Sequence, residues 1–428
     1  MKIRVVDMPY EEAAAQPRQK HEPPVRPSLP VRALLRAASL PELHAVRFHC
    51  ERVGMERLGR DEPCLILMNH SCFLDLKIAA AVLYPRPFNI VCTSDGFVGK
   101  AGLMRRLGCI PTRKFQSDAS LVRDMLYAVK RLRSSVLLYP EASYSFDGTA
   151  TALPESIGKC VKALGVPVVM LRTFGAFARD PLYNGLRKRR VNVSAELRCL
   201  LSSEELSAMS AEELQSRIDE QFRFDSFRWQ QANGVAVCEP FRAEGLNRVL
   251  YKCPHCLTEG ETEGRGTTLT CRRCGAVYRL TELGALERTD GGAAKFTHVP
   301  DWYAWERECV RAELERGTYA LDIPVRICMM VNMKQICRVG EGRLQHDENG
   351  FHLTGCGGRL DCVQRAEASY SLYADYFWYE LGDMLCIGDS RALYYCFPLC
   401  EGDVVAKTRL AAEELYRLKR AQRAAVRT

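Results

Sequence analysis

Between residues 64 and 222, short apolar runs alternate with segments of helical spacing, and no other feature limits the fold as strongly. The runs Cys64–Met68, Phe88–Thr93, Ser135–Tyr139, Pro167–Leu171 and Val191–Leu197 are rich in Val, Ile and Leu, as buried strands are. Helical stretches lie between them, near Asp75–Leu83, Lys100–Leu107, Ser117–Leu132 and Glu155–Leu164. A last one, Glu212–Phe222, opens with Ser210 and Glu213 spaced as a capping box. The pattern predicts an α/β domain, a sheet sandwiched by helices.

The flanks read differently. Residues 1–30 are polar and Pro-rich and are expected to form a flexible arm. Val31–His44 mixes Leu34, Leu35 and Leu40 with Arg32 and Arg36, which suits a helix packed on the domain or one lying in a membrane interface. The α/β domain is expected over 31–245. After Arg248 the composition shifts to paired cysteines, Gly and Thr, giving a small stapled module at 248–285. Asp301–Arg316 reads as a helix, Ile323–Phe397 as six or seven short strands, and Asp403–Arg420 as a closing amphipathic helix. That third region, 300–428, is β-rich and by pattern alone resembles a pleckstrin-homology-like or GRAM-like barrel. The aromatics of Tyr373–Tyr379 suit core packing or a ligand surface.

With 47% apolar and 26% charged residues in 428, intrinsic disorder, collagen and whole-chain coiled coil are excluded. The longest stretch without Asp, Glu, Lys or Arg is twelve residues, Pro63–Leu74, short of the roughly 18–20 of a spanning helix. Met1–Lys20 carries Asp7, Glu11 and Glu12 without an apolar core, so no secretory leader is expected. The formal charge of +8 suits anionic partners: lipid phosphates, coenzyme A, an acidic carrier protein or nucleic acid. Sixteen of the twenty cysteines are scattered singly, as at Cys64, Cys92, Cys160, Cys328 and Cys396. They read as small buried hydrophobes in a reducing compartment, expected to be the cytosol.

No phosphate-cradling glycine loop and no G-x-S-x-G elbow occurs. The informative segment is Asn69-His70-Ser71-Cys72-Phe73-Leu74-Asp75, directly after a buried strand. A His followed five residues on by Asp arises by chance about 0.4 times at this composition, so its placement matters more than its spacing. Ligand sites of α/β sheets lie at the carboxyl ends of strands. A turn there, with Asp75 in the first helical turn, lets the carboxylate accept the His70 ring N–H, fix its tautomer and stabilise the imidazolium. The bland alternative is a capped helix with an incidental surface His. Three further segments follow. Gly108-Cys109-Ile110-Pro111-Thr112-Arg113-Lys114 puts two cations in a turn after a helix. Tyr139-Pro140-Glu141-Ala142-Ser143-Tyr144-Ser145 ends another strand, and Val166-Pro167-Val168-Val169 begins the next.

In this order the four strongly resemble the glycerophospholipid acyltransferase family, whose type member is 1-acyl-sn-glycerol-3-phosphate acyltransferase. The family's N-H-x-x-x-x-D is matched by Asn69, His70 and Asp75. Its Gly with Arg five residues on is matched by Gly108 and Arg113. Its F-P-E-G-T-R-S is matched at Pro140, Glu141 and Ser145, with Tyr139 and Ser143 conservative, and its V-P-[VI]-[VI] by Val166–Val169. The resemblance covers about residues 40–239. Two positions depart: the family's Gly is Ala142, and its Arg, thought to help hold the acceptor phosphate, is Tyr144. The resemblance implies His70 as general base on the acceptor hydroxyl, which attacks an acyl-CoA or acyl-carrier thioester directly. Asp75 then orients His70, and Cys72 is packing rather than nucleophile. Asn69, Gly108, Arg113, Lys114, Glu141, Ser143 and Ser145 are implied to bind substrate. Glu141 would orient the acceptor, and Arg113, Lys114 and Arg172 would carry phosphate.

Cys253-Pro254-His255-Cys256 and Cys271-Arg272-Arg273-Cys274 form two C-x-x-C knuckles, the ligand spacing of a structural tetrahedral zinc. This looks like a zinc ribbon. His255 is not needed as a ligand, and the few cations nearby argue against nucleic acid as partner. The expected function is acyl transfer to a lysophospholipid, 1-acylglycerol-3-phosphate by resemblance, at an anionic membrane surface reached from the cytoplasmic side. The alternative is a catalytically degenerate fold with a ribbon, binding lipid, protein or nucleic acid. The retained His70/Asp75 pair favours the enzyme, and Tyr144 leans the other way.

Overall fold

The computed structural model describes residues 3–115 and 118–427. Met1, Lys2 and Thr428, which bound the expected arm and last domain, and Ser117, the expected helix start, lie outside them. Val5–Asp7 forms a strand (β1) paired in parallel with residues 336–338. Ala13 of the helix Tyr10–Ala14 is fully buried. Further on, His21 meets Asp124 at 2.9 Å, and the Val25 carbonyl accepts from Asn89 at 2.8 Å. The polar N-terminal segment is therefore a strap across both large domains and not the flexible arm its composition suggests. Polar side chains here find fixed partners, which composition cannot reveal.

The α/β domain is a sheet of seven strands: His49–Val53 (β2), Leu65–Met68 (β3), Phe88–Thr93 (β4), Cys109–Thr112 (β5), Ser135–Leu138 (β6), Val168–Phe174 (β7) and Ser194–Leu201 (β8). Their order is β2-β8-β7-β3-β6-β4-β5, all neighbours parallel except β7 and β8. The five apolar runs of the sequence are the five interior strands. The two strands the sequence hides, β2 and β5, are the edges. An edge strand has one face or side toward solvent, so β2 tolerates the polar HCERV and β5 tolerates Pro111. The expected turn at 108–114 is thus strand β5, with Arg113 and Lys114 just beyond its end.

Helices Asp75–Val82, Ala119–Lys130, Ile157–Leu164 and Ala211–Phe222 cover the sheet. Asp118 caps the second, accepting from Ser120 N and Leu121 N, and Ser210 and Glu213 form the expected capping box. A second box, Ser202 with Glu205, starts an unexpected short helix at Ser203–Ala208. Leu29–Ala45 packs beside Asp75–Val82 through Ser39 and Leu43.

The small module is an antiparallel sheet, Thr262–Arg265 (β9), Thr268–Cys271 (β10), Val277–Leu280 (β11) and Leu286–Arg288 (β12). Beneath it runs the helix Val299–Glu315. Its fully buried Trp302 donates Nε1–H to Lys252 O at 3.0 Å, and Glu306 Oε1 accepts from Lys252 N at 2.7 Å. The expected strand-rich region follows: Leu321–Met330 (β13), Ile336–Asp347 (β14), Gly350–Gly355 (β15), Leu360–Arg365 (β16), Tyr373–Trp378 (β17), Gly382–Gly388 (β18) and Leu393–Pro398 (β19). A four-strand and a three-strand meander join along β13 and β19, β1 adds to β14, and the helix Val405–Arg427 closes the domain. No described helix is long and apolar enough to cross a membrane.

Candidate active site

β3 is the middle strand of the sheet, and the chain turns at its carboxyl end into the helix Asp75–Val82. That turn brings His70 Nδ1 to 3.0 Å from Asp75 Oδ2. The same oxygen accepts the backbone N–H groups of Ser71 at 2.8 Å and Cys72 at 3.2 Å. Three donors on one oxygen fix the carboxylate, and the carboxylate fixes the imidazole with Nδ1 protonated and Nε2 free as a base. The Asp75 side chain is 1% exposed and that of His70 20%. Burial pushes the His70 pKa below its usual value, against the opposing pull of Asp75, so the ring is neutral at pH 7.

The ring lies between two tyrosines. Tyr139 stacks on it at 4.2 Å between centroids and Tyr144 covers it at 4.1 Å, with Phe73 against Tyr144 at 5.4 Å. Tyr144 stands where the resembling family has Arg, and here it is a hydrophobic wall of the base. Ala142, where that family has Gly, has φ 52°, in the left-handed region that favours glycine. The loop keeps its glycine-type conformation without the glycine. Cys72 is 3% exposed, and burial raises its thiol pKa well above the ordinary value, so it offers no thiolate.

His70 opens on a cavity of about 1090 Å³. The α/β domain contributes the apolar Ile90, Val122, Met125, Leu138 and Ile157 to its lining. The C-terminal domain contributes Tyr370, Tyr373, Asp375, Phe377, Trp378 and Tyr379. The pairing of β17 with β18 shifts register between Asp375 and Trp378, and Phe377, Tyr379 and Glu380 have positive φ. This irregularity turns the aromatic run toward the cavity, as bulges beside sites do. Sequence reasoning weighed Tyr373–Tyr379 as a ligand surface but missed that the surface belongs to the His70 site. Lys114 Nζ sits 4.0 Å over the Tyr373 ring, its pKa lowered by burial, while burial raises Asp375 to about 7.

The remaining motif residues separate into lining and bracing. Arg113 and Lys114 border the cavity. Arg113 also donates to the backbone carbonyl of Asp389 in the C-terminal domain. Asn69 Oδ1 accepts from Thr173 N at 2.8 Å and ties β3 to β7. Glu141 is 3% exposed; its two oxygens accept from His70 N and Thr151 N, both at 2.9 Å, and burial raises its pKa to about 7. Ser145 Oγ donates to Thr149 O at 2.6 Å, and Ser143 is held by Arg409 at 3.2 Å. Gly108 has φ +85°, and a side chain there would meet Pro27 and the Phe88 carbonyl at 3.0–3.1 Å. These residues hold the loops together and do not border the cavity. Arg172, expected near phosphate, reaches the Gln221 carbonyl instead. Val168 and Val169 are buried at the opposite end of the sheet from His70, so the fourth motif is packing.

The Sγ atoms of Cys253, Cys256, Cys271 and Cys274 lie within 4.8 Å of one another, with Cys253–Cys274 at 3.6 Å and Cys256–Cys271 at 3.7 Å. Zinc–sulfur bonds of about 2.3 Å in a tetrahedron set sulfurs about 3.8 Å apart, so this set fits a zinc ion. His255 faces away, to Tyr278 Oη at 2.7 Å.

Residues 49–172 match the family described as Acyltransferase, the stretch that carries all four motifs. Comparison with curated proteins finds no match. Among solved structures, the 1-acyl-sn-glycerophosphate (LPA) acyltransferase PlsC from Thermotoga maritima is similar at 16% identity and a TM-score of 0.33, over 45% of this chain and 76% of that one.

Proposed function

We propose that this protein transfers a fatty acyl chain from a coenzyme A or acyl-carrier thioester to the free hydroxyl of a lysophospholipid. The observation that carries the reading is the His70–Asp75 pair, oriented by backbone donors and opening on a large, partly apolar cavity. His70 Nε2 takes the hydroxyl proton as the acceptor oxygen attacks the thioester carbonyl. The imidazolium, stabilised by Asp75, then protonates the departing thiolate. Cys72 is unsuited to a covalent intermediate, so transfer is direct. The apolar residues of the cavity lining suit an acyl chain, and Arg113 and Lys114 suit the acceptor phosphate. The motifs imply 1-acylglycerol-3-phosphate as that acceptor. Cys253, Cys256, Cys271 and Cys274 would hold a structural zinc, which supplies folding energy to the ribbon and no chemistry at His70.

A peripheral membrane position fits the surface. Leu34 is 71% exposed, with Ala37, Ala38 and Pro41 exposed on the same helix face and Arg32 and Arg36 beside them. Phe73 and Leu76 are exposed at the cavity mouth, and Leu103 next to Arg105 and Arg106. Apolar groups beside cations suit the headgroup boundary of an anionic leaflet. The free thiols fit the cytoplasmic face.

The test is lipid mass spectrometry on a panel of lysolipids with labelled palmitoyl-CoA, comparing wild type with His70→Ala. A new His70-dependent diacyl product is expected, and none from any acceptor would refute the reading. Flotation should show binding to anionic vesicles that falls steeply with salt; equal binding to neutral vesicles would remove the electrostatic part.

A further inference from the structure

The loop that holds Tyr144 against His70 is itself held from the far end of the chain. Arg409, on the helix Val405–Arg427, is 3% exposed. Its Nη1 donates to Ser143 Oγ at 3.2 Å and to the Tyr144 carbonyl at 3.5 Å, and its guanidinium sits 4.5 Å over the Phe146 ring. These three contacts clamp residues 143–146, the end of the third motif and the residue after it. Behind it, Arg409 Nε donates to Glu413 Oε1 at 3.2 Å. Glu413 also accepts from Ser371 Oγ at 2.7 Å, and its second oxygen meets Arg307 Nη1 at 2.7 Å. Arg307 belongs to the helix Val299–Glu315 that carries the ribbon, and it meets Glu414 at 2.9 Å as well. Burial alone would push the Glu413 pKa up, but Arg307 and Arg409 outweigh it and hold it at about 2, so the network is charged at working pH.

Arg409 does not border the cavity. This deeply buried arginine, anchored through Nε on Glu413, reaches one short loop through Nη1 and so acts on that loop. The loop's Tyr144 ring lies 4.1 Å from His70, and the Ser145 N–H donates to the His70 carbonyl at 3.4 Å. We infer that Arg409 is a positioning residue for acyl transfer, anchored by Glu413 and Arg307, and that the C-terminal helix is thereby a working part of the acyltransferase site. The inference rests on the reading of His70 as the base. It assigns the last helix a role that no motif in the α/β domain foretells.

The experiment measures kcat and KM for palmitoyl-CoA with the best lysophospholipid of the panel, on full-length Arg409→Met, Arg409→Lys and Arg311→Gln. Arg311 pairs with Glu414 across the same two helices but does not reach the motif loop, and so controls for loss of helix docking. Melting temperature and metal content report folding. A misplaced base costs about 100-fold in kcat with KM held within about twofold. That is the result expected for Arg409→Met, with partial recovery in Arg409→Lys and wild-type kinetics in Arg311→Gln. A folded Arg409→Met with kcat within threefold of wild type overturns the inference. So does a loss confined to KM, or an equal loss in Arg311→Gln. If Arg409→Met does not fold, Arg409→Lys decides. A lysine cannot bridge Ser143 Oγ, the Tyr144 carbonyl and Glu413 together, so lowered kcat supports the inference and wild-type kcat overturns it. Failure of the underlying reading looks different: His70→Ala would then match wild type, whereas failure of this inference leaves His70 essential and Arg409 dispensable.

Discussion

Replacing Asp75 by Asn separates the two jobs assigned to that carboxylate. Oδ2 accepts Ser71 N at 2.8 Å and Cys72 N at 3.2 Å as well as the His70 ring at 3.0 Å. In the variant, the two backbone donors demand an oxygen at that position, so the amide carbonyl should stay there and continue to accept the ring N–H. The tautomer survives and only the negative charge is lost. A charge opposite an imidazolium about 4 Å away is worth about 4 kcal/mol at an effective dielectric of 20. His70 is 20% exposed, which discounts that figure toward about 3 kcal/mol. The predicted fall in kcat/KM is therefore about 10²–10³-fold, less than the roughly 10⁴-fold expected when a tautomer is inverted. The assay is release of free coenzyme A followed with a thiol reagent, with melting temperature as control for folding. A folded Asp75→Asn enzyme within tenfold of wild type would refute imidazolium stabilisation. A loss beyond about 10⁴-fold would refute the claim that the backbone donors hold the oxygen in place.

Since burial holds the His70 pKa low and transfer needs the neutral ring, activity should fall only as pH drops below about 6.5. Asp75→Asn removes the group that raises this pKa, so the acid limb of its kcat/KM profile should move to lower pH; movement to higher pH would contradict the electrostatics. Metal analysis should find about one zinc per chain, lost in Cys271→Ser together with a drop in melting temperature, because the helix under the ribbon is pinned to Lys252. Absence of zinc from protein purified without chelators would contradict this. At Gly158 an added Cβ would lie 2.0 Å from the Ala211 carbonyl, so Gly158→Ala should destabilise by about 1–3 kcal/mol or more. An unchanged denaturation midpoint would mean that the helices Ile157–Leu164 and Ala211–Phe222 do not cross so closely.

Legibility in the sequence followed burial and locality. Interior strands such as β3 and β6 bury both faces and announce themselves as apolar runs, while β2 and β5 face solvent at the edges and blend into polar surroundings. His70 and Asp75 were legible because five residues of chain place them together, and the cysteine pairs because ligand spacing is local. Arg409 was not legible, and the run Tyr373–Tyr379, weighed as a ligand surface, could not be assigned to the His70 site. Each reaches the site by packing of one domain on another, and no pattern along the chain records that Arg409 will meet Ser143. Glu141, Asn69 and Ser145, expected to bind substrate, stand differently in the fold. A polar residue beside a base suggests contact with substrate, yet these satisfy backbone groups of the turns that carry the base.

The pairing of β1 with β14 and the grip of Arg409 on the Ser143 loop have a consequence for the order in which the protein is made. During synthesis the dyad at residues 70 and 75 leaves the ribosome long before the strand that receives residues 5–7, and longer still before Arg409. Contacts between such distant parts of a chain form late in folding. A nascent or truncated chain therefore holds a complete His–Asp pair in a cleft open to water, without its aromatic wall and without the clamp behind Tyr144. If Arg409 positions the base as inferred, a chain cut short before the last helix keeps the His–Asp pair but loses its clamp, and its acyl transfer is expected to fall accordingly.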